Sequence, residues 1–174
     1  MELVVTLLGK DRPGIGADVL GALVDGGAGI RGARGGIVAG RFTFTVVVEA
    51  DSEVGLTDAL QPVCEQSDLE LTVTPVQGAF FGSQASEQAV ISCYGPADPA
   101  VLAELFQLLR RFEVNVEDFR FDQLEAGGRS RLRAELQVRV PMEADFEALL
   151  KELRRLEEQV GLESTVRWDL SFLI

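Results

Sequence analysis

Val4-Val5-Thr6-Leu7-Leu8-Gly9-Lys10-Asp11-Arg12-Pro13-Gly14-Ile15 has a counterpart further along the chain, Val90-Ile91-Ser92-Cys93-Tyr94-Gly95-Pro96-Ala97-Asp98-Pro99-Ala100-Val101. The offset is a constant 86, which sets Gly9 on Gly95, Pro13 on Pro99 and Ile15 on Val101. It continues through Leu23 on Leu109 and Ile30 on Val116. Gly40-Arg41 then aligns with Gly128-Arg129 at offset 88. Ser52-Glu53 and Ala59-Leu60 align with Met142-Glu143 and Leu149-Leu150 at offset 90. A longer hairpin in the second copy accounts for the drift. The chain is read as two copies of a unit of roughly 80 residues, near the low end of domain size.

Each copy has the same periodicities. Residues 2–9 alternate and are rich in β-branched side chains, which predicts a strand. Ile15, Val19, Leu20, Leu23 and Val24 share one helical face, and Gly26-Gly27 ends that helix. Residues 29–38 and 41–50 read as two strands around Ala39-Gly40. Leu56, Ala59, Leu60 and Val63 mark a second helix, and Leu69, Leu71 and Val73 a last strand. The second copy repeats the order: a strand over 88–95 and a helix carrying Leu102, Leu105, Phe106 and Leu109. A hairpin over 114–124 and 130–140 follows. A helix carrying Phe146, Leu149, Leu150, Leu153 and Leu156 comes next, and a strand over 163–173 closes the unit. The order βαββαβ, twice, is α+β with a ferredoxin-like arrangement: a four-stranded antiparallel sheet with two helices on one face. The expected domains are 1–77 and 88–174, joined by a Gly/Ser/Gln-containing linker over 78–87. The uncovered face or edge of each sheet needs a partner or a polar surface. Two copies in one chain are expected to pair with each other or with a second chain.

Composition narrows the function. The chain has 174 residues, 47% apolar and 25% charged, which excludes a disordered chain. No apolar run is long enough to span a bilayer and no basic segment precedes an apolar one at the start, so a cytoplasmic protein without membrane association is expected. The formal charge of −12 argues against direct nucleic-acid binding, which needs a basic surface. Histidine is absent, which removes Ser/His and Cys/His catalysis and His-ligated metals. Cys64 and Cys93 form no CxxC and are read as buried apolar residues. No metal site and no cofactor are expected. The adjacent pairs Glu117-Asp118 and Glu157-Glu158 point apart on a strand or helix and read as solvated faces. Asp145, Glu147 and Glu152 near Lys151 and Arg154 read as exposed helix surface. Trp168 and Phe80-Phe81 read as core or interface.

The stretch Gly9 to Ile15 joins the first strand to the first helix. Pro13 suits the first helical position, where no backbone donor is needed. Gly14 removes a side chain beside the amides of the helix start, and those amides attract an anion such as a carboxylate. Asp11 has two readings, as an acceptor for an ammonium or as the helix cap. One loop can thus hold both charged ends of a free amino acid, although Asp-x-Pro-Gly is equally common turn chemistry. Arg12 and Lys10 read as solvated charges or partner contacts. Gly14-Ile15-Gly16 begins a dinucleotide fingerprint but has Val19 where the third glycine belongs, and the Gly9–Gly14 spacing lacks the Lys-Ser/Thr of a P-loop. Gly32, Gly35 and Gly36 read as bulges or close backbone approach.

These residues, from Val4 to Ile15, with the helix and Ala28-Gly29-Ile30 that follow, resemble the opening of ACT domains. ACT domains are small regulatory modules that bind amino acids. The Gly-Lys-Asp-Arg-Pro-Gly-Ile form is similar to tandem-ACT proteins of the glycine cleavage system transcriptional repressor family and to the ACT region of some phosphoserine phosphatases. The resemblance implies a ligand site between ACT units, carried over here to Asp11, Arg12, Pro13, Gly14 and Ile15, with Gly29 and Ile30 opposite. In the second copy Ala97 replaces the Asp and Ala100 the Gly, whereas Asn115 matches the family's Asn where copy one has Gly29. One composite or single-type site, rather than two equal ones, is therefore expected. The resemblance further implies a non-enzymatic regulator responding to glycine or serine, a regulatory protein partner, and a homodimer. No phosphatase domain fits beside two ACT units. The alternatives are a ligand-independent oligomerisation or interaction module and, less favoured by the lack of a nucleophile–base set, a small enzyme on this scaffold.

Overall fold

In the computed structural model, residues 1–76 and 86–168 are described. The chain divides into two compact units, Met1–Phe80 and Phe81–Ile174. The first runs β1 (Glu2–Lys10), α1 (Ile15–Asp25), β2 (Gly29–Val38), β3 (Arg41–Glu49), α2 (Glu53–Ser67) and β4 (Leu69–Pro75). The second runs β5 (Ser86–Pro96), α3 (Pro99–Arg111), β6 (Asn115–Ala126), β7 (Arg129–Pro141), α4 (Phe146–Val160) and β8 (Glu163–Trp168). The sheets are antiparallel, ordered β2-β3-β1-β4 and β6-β7-β5-β8. Each unit is βαββαβ, as the periodicity predicts. Most of the expected linker lies outside the described residues, and its last two members, Ser86 and Glu87, already belong to β5. Phe80-Phe81 and the end of the closing strand, 169–173, also lie outside the described residues.

Alternation builds each core. Leu3, Val5 and Leu7 of β1 are fully buried and meet Val46 and Val48 of β3, while Thr6 between them faces outward. Ile15, Val19 and Leu23 of α1 and Leu56, Leu60 and Cys64 of α2 complete the same cluster, so both helices cover one face. The second unit repeats this with Ile91 and Cys93 of β5, Leu105 and Leu109 of α3, Leu136 and Val138 of β7, and Leu149 and Leu153 of α4. Each fully buried leucine contributes about 1.5–3 kcal/mol relative to exposure. Phe146 and Trp168 pack with ring centroids 4.5 Å apart.

The turns follow local chemistry. Ala39-Gly40 and Gly127-Gly128 carry positive φ at both central positions, the condition for a tight two-residue hairpin. The second hairpin is the longer: β6 and β7 have 12 and 13 residues against 10 and 9 in β2 and β3. That difference moves the second helices further apart in sequence than the alignment at offset 90. Glu53 matches Phe146 and Ser67 matches Val160, an offset of 93. The cap of α2 is Ser52, which accepts from the Gly55 amide at 3.0 Å. Its true counterpart is Asp145, which accepts from the Ala148 amide at 2.9 Å. Asp145 is therefore a helix cap and not merely surface charge.

Candidate functional site

The turn between β1 and α1 is held at three points. Gly9 is forced by close packing, because a Cβ there would fall 2.4 Å from Leu69 Cδ2 and 2.7 Å from the Asp68 carbonyl oxygen. The Asp11 amide donates to the Gly40 carbonyl at 3.0 Å, which ties the turn to the β2–β3 hairpin. The Arg12 guanidinium reaches across to the end of α2. Its Nε and Nη2 both donate to Ser67 Oγ, at 3.1 and 2.7 Å, and Nη2 also meets Asp18 Oδ2 at 2.6 Å. Arg12 is thus an internal tether, which corrects its reading as a solvated or partner-contacting charge.

Pro13 and Gly14 also need correction. The helix begins at Ile15, so Pro13 lies ahead of it and not at its first position. The Ile15 amide donates to the Arg12 carbonyl at 3.3 Å, and Gly14 adopts φ 85°, ψ −7°. That is a type II turn with proline and glycine at its two central positions. Gly14 is required by its left-handed backbone, since a Cβ built on it would meet nothing within 4 Å. The same openness leaves room beside the helix start. The Asp18 amide makes the first bond of the helix proper, to the Gly14 carbonyl at 3.0 Å. The amides of Gly16 and Ala17 precede it and have no partner within the helix. No side chain caps α1, so Asp11 is not its cap.

The second copy departs at this point. Asp98, at the position matching Arg12, caps α3 by accepting from the Ala100 amide at 2.9 Å. Pro99 occupies the first helical position, and Ala100 lies inside the helix. The second helix therefore starts two residues earlier in the repeat and absorbs the residues that form the open turn in the first.

Gly29 and Ile30 do not share a location with the turn. Gly29 pairs with Glu49 and Glu2 pairs with Glu49, whereas Lys10 pairs with Arg41. The 11–15 turn and the start of β2 thus lie at opposite ends of one sheet, about 25–30 Å apart at 3.3 Å per residue. Asn115 pairs with Arg139, which in turn pairs with Gln88 near the start of β5. It too lies at the end away from its own unit's β5–α3 turn. Within a single unit, Asp11–Ile15 come together, and neither Gly29-Ile30 nor Asn115 joins its own unit's turn.

Several of the remaining charges have structural partners. Glu117 sits at a bulge between Val116 and Asp118 and accepts from Arg139 Nε at 2.8 Å and Gln88 Nε2 at 3.3 Å. Asp118 Oδ1 accepts from the Phe119 amide at 2.9 Å. Glu157 is not a solvated charge: it accepts from the Ser164 amide and hydroxyl at 2.8 and 2.6 Å. Both cysteines are free and buried. Burial, then the charge of Glu157, pushes the Cys93 thiol up to about 12. Burial, then Glu65, raises Cys64. Neither is a thiolate near neutrality. Among the glycines of β2, Gly32 adjoins a bulge and Gly35 is crowded by the Phe44 ring, while Gly36 has open space. Among the described residues, no group of Cys, Asp and Glu is placed to hold a metal ion, and no helix is long and apolar enough to cross a membrane.

The ACT domain family matches the sequence twice, over residues 2–74 and 87–167. The chain belongs to the ACT domain family. It is a tandem member, with one regulatory module in each half. Two of the solved structures similar to it match over nearly the whole chain. One is an unknown protein from Galdieria sulphuraria, 20% identical, with a TM-score of 0.84 over 97% of this chain and 98% of that one. The other is described as a candidate glycine cleavage system transcriptional repressor, 16% identical, with a TM-score of 0.71 over 97% of this chain and 96% of that one. At those identities the likeness is one of fold. No curated protein matches in sequence.

Proposed function

We propose that this tandem ACT protein is a non-enzymatic regulator that binds a small free amino acid, glycine or serine, at the 11–15 turn. The single observation that carries this reading is the contrast between the two helix starts: α1 is uncapped at an open Pro-Gly turn, and α3 is closed by its own aspartate. A ligand carboxylate would accept from the Gly16 and Ala17 amides and gain from the helix dipole. The Asp11 carboxylate would take the ammonium. A small side chain suits a turn where only a glycine backbone is present. Because Gly29 and Ile30 lie at the far end of the same sheet, the opposite wall would come from another ACT unit. By the resemblance to ACT domains, Asn115 at the start of β6 would supply it from a second copy. Binding would alter the affinity for a protein partner by favouring one arrangement of units over another. By the repressor likeness, that partner would act in transcription of glycine metabolism, in the cytoplasm, with this chain as a homodimer.

Calorimetric titration with the twenty amino acids tests this. Heat is expected with glycine or serine and is lost in Gly14→Ala. If none of the twenty produces heat or a melting shift, the sensor reading is wrong. A ligand-independent interaction module would then gain ground, and it has one observation in its favour. Phe119 is 55% exposed on the edge strand β6, stacked on Phe121 at 5.0 Å.

A further inference from the structure

The helices of each unit cover one face of its sheet, and the opposite faces of the two sheets differ in charge. On the first sheet, the side chains pointing away from the helices along the central strands are Val4, Thr6 and Leu8 of β1 and Thr43, Thr45 and Val47 of β3. Val4, Leu8 and Val47 are half-buried and yet take no part in the core. Thr72 and Thr74 of β4 continue this uncharged surface on one side, and Gly36 of β2 on the other. A Cβ on Gly36 would meet nothing within 4 Å, so the unit itself does not demand a glycine there. Glycine inside a strand often marks the close approach of another backbone. On the second sheet the matching centre carries Arg133 and Glu135 of β7, opposite Asp122 and Arg120 of β6. Opposite charges adjoin there, with Arg133 on Asp122 at 3.0 Å, and that face is satisfied in water.

Both ends of the first face carry like charges side by side. Glu2 lies directly opposite Glu49, and Lys10 directly opposite Arg41. Such cross-strand pairs are unfavourable within a sheet. Arg31 pairs with Glu49, and Glu70 with Arg41 at 3.9 Å, which leaves Glu2 and Lys10 without an ion pair among the described residues. The Met1 ammonium donates to the Ala50 carbonyl at 2.6 Å. The acidic and basic ends are about 27 Å apart, with neutral side chains between them along β1 and β3.

This surface is complementary to itself. Two copies can meet face to face about a two-fold axis running either along the strands or across them. An axis along the strands sets acid on acid. An axis across them, at the Thr6–Thr45 row, sets Glu2 and Glu49 of one copy over Lys10 and Arg41 of the other, and Val4 over Leu8. A rotation of about 30° between packed sheets moves the ends sideways by only about 7 Å, within reach of lysine and arginine side chains. Four strands about 4.8 Å apart and some nine residues long offer roughly 550 Å² per copy. The total of about 1,100 Å² just clears the ~1,000 Å² of a specific interface. We propose that the uncovered face of the first sheet is the interface of a two-fold dimer of this chain, with β1 antiparallel to β1 of the partner across it. This gives a surface to the homodimer of the reading above and does not depend on the ligand.

Sedimentation equilibrium of the full chain tests it. The wild type is expected to dimerise with concentration, less so as salt is raised. Glu2→Lys with Glu49→Lys makes both ends basic, and Lys10→Glu with Arg41→Glu makes both acidic. Each double variant should self-associate at least roughly tenfold more weakly, and an equimolar mixture of the two should form the heterodimer. Thr6→Arg, which places a charge at the centre of the face, should give a monomer with a wild-type circular dichroism spectrum. A wild type still monomeric at about 500 µM overturns the dimer. A dimer that survives Thr6→Arg uses another surface and overturns this one. Loss in both double variants without recovery on mixing overturns the antiparallel arrangement. Heat from glycine or serine in a chain that fails these tests leaves the amino-acid reading standing.

Discussion

At the same place in the repeat, the chain passes into α1 through an open Pro-Gly turn and into α3 through a self-capped one. Both turns have a strand before them and a buried helical face after them. Gly9 and Gly95 are pressed against Leu69 and Leu162 in the same way. What differs is Arg12 against Asp98 and Gly14 against Ala100. An aspartate at the first position satisfies the helix by itself and lets proline take the first helical position. An arginine there reaches away to α2, and glycine in the left-handed region delays the helix by two residues. The fold tolerates either solution, because the buried leucines do not sense which is used. The difference lies in how the polar groups of the helix start are satisfied, at the place where the proposed ligand would sit.

Matched substitutions in the two units measure how far this likeness extends. The largest effect is expected where the units are most alike: Leu23→Ala and Leu109→Ala each remove a fully buried leucine from the first helix of a unit. Each should cost about 2–5 kcal/mol in denaturant unfolding, with hydrogen exchange locating the loss in the mutated unit. A loss shared equally by both units would show that the two cores are not independent. Next come the packed glycines. Gly9→Ala must displace a backbone oxygen at 2.7 Å and should cost about 1–3 kcal/mol. Gly95→Ala meets a flexible leucine methyl first and should cost less. Equal losses in thermal melts would contradict the geometry. The smallest effect concerns the caps. Asp98→Ala should cost about 1 kcal/mol, whereas Asp11→Ala should leave stability nearly unchanged because no cap is lost at α1. A stability loss in Asp11→Ala would place a cap where none is seen.

Much of this architecture can be read from periodicity. Alternation along β1, helical spacing in α1 and paired positive-φ turns at 39–40 and 127–128 are local signals, and the repeat makes each unit a check on the other. The errors arise where a local rule meets tertiary geometry. Pro13 suits a first helical position in isolation, but Gly14 takes the left-handed conformation and turns the pair into a type II turn. The second-helix alignment slips from 93 to 90 because apolar residues recur at helical spacing and several registers fit. Pro62 lies inside α2, where the packing of Leu56, Leu60 and Cys64 holds the helix through it. The tether from Arg12 to Ser67 joins residues 55 apart, and no spacing rule connects them. Candidate site residues are readable as a turn, but the separation of Gly29-Ile30 from that turn depends on strand register across three strands.

Two tandem copies of one topology run a risk during synthesis, since a strand of one can invade the sheet of the other. The unequal hairpins guard against this. The centre of the second sheet is an eleven-residue strand facing a thirteen-residue neighbour, and β1 has only nine residues. A misplaced β1 would strand rungs of β7 without partners, each an unsatisfied main-chain group. Length asymmetry thus disfavours exchange of the central strands between the two halves.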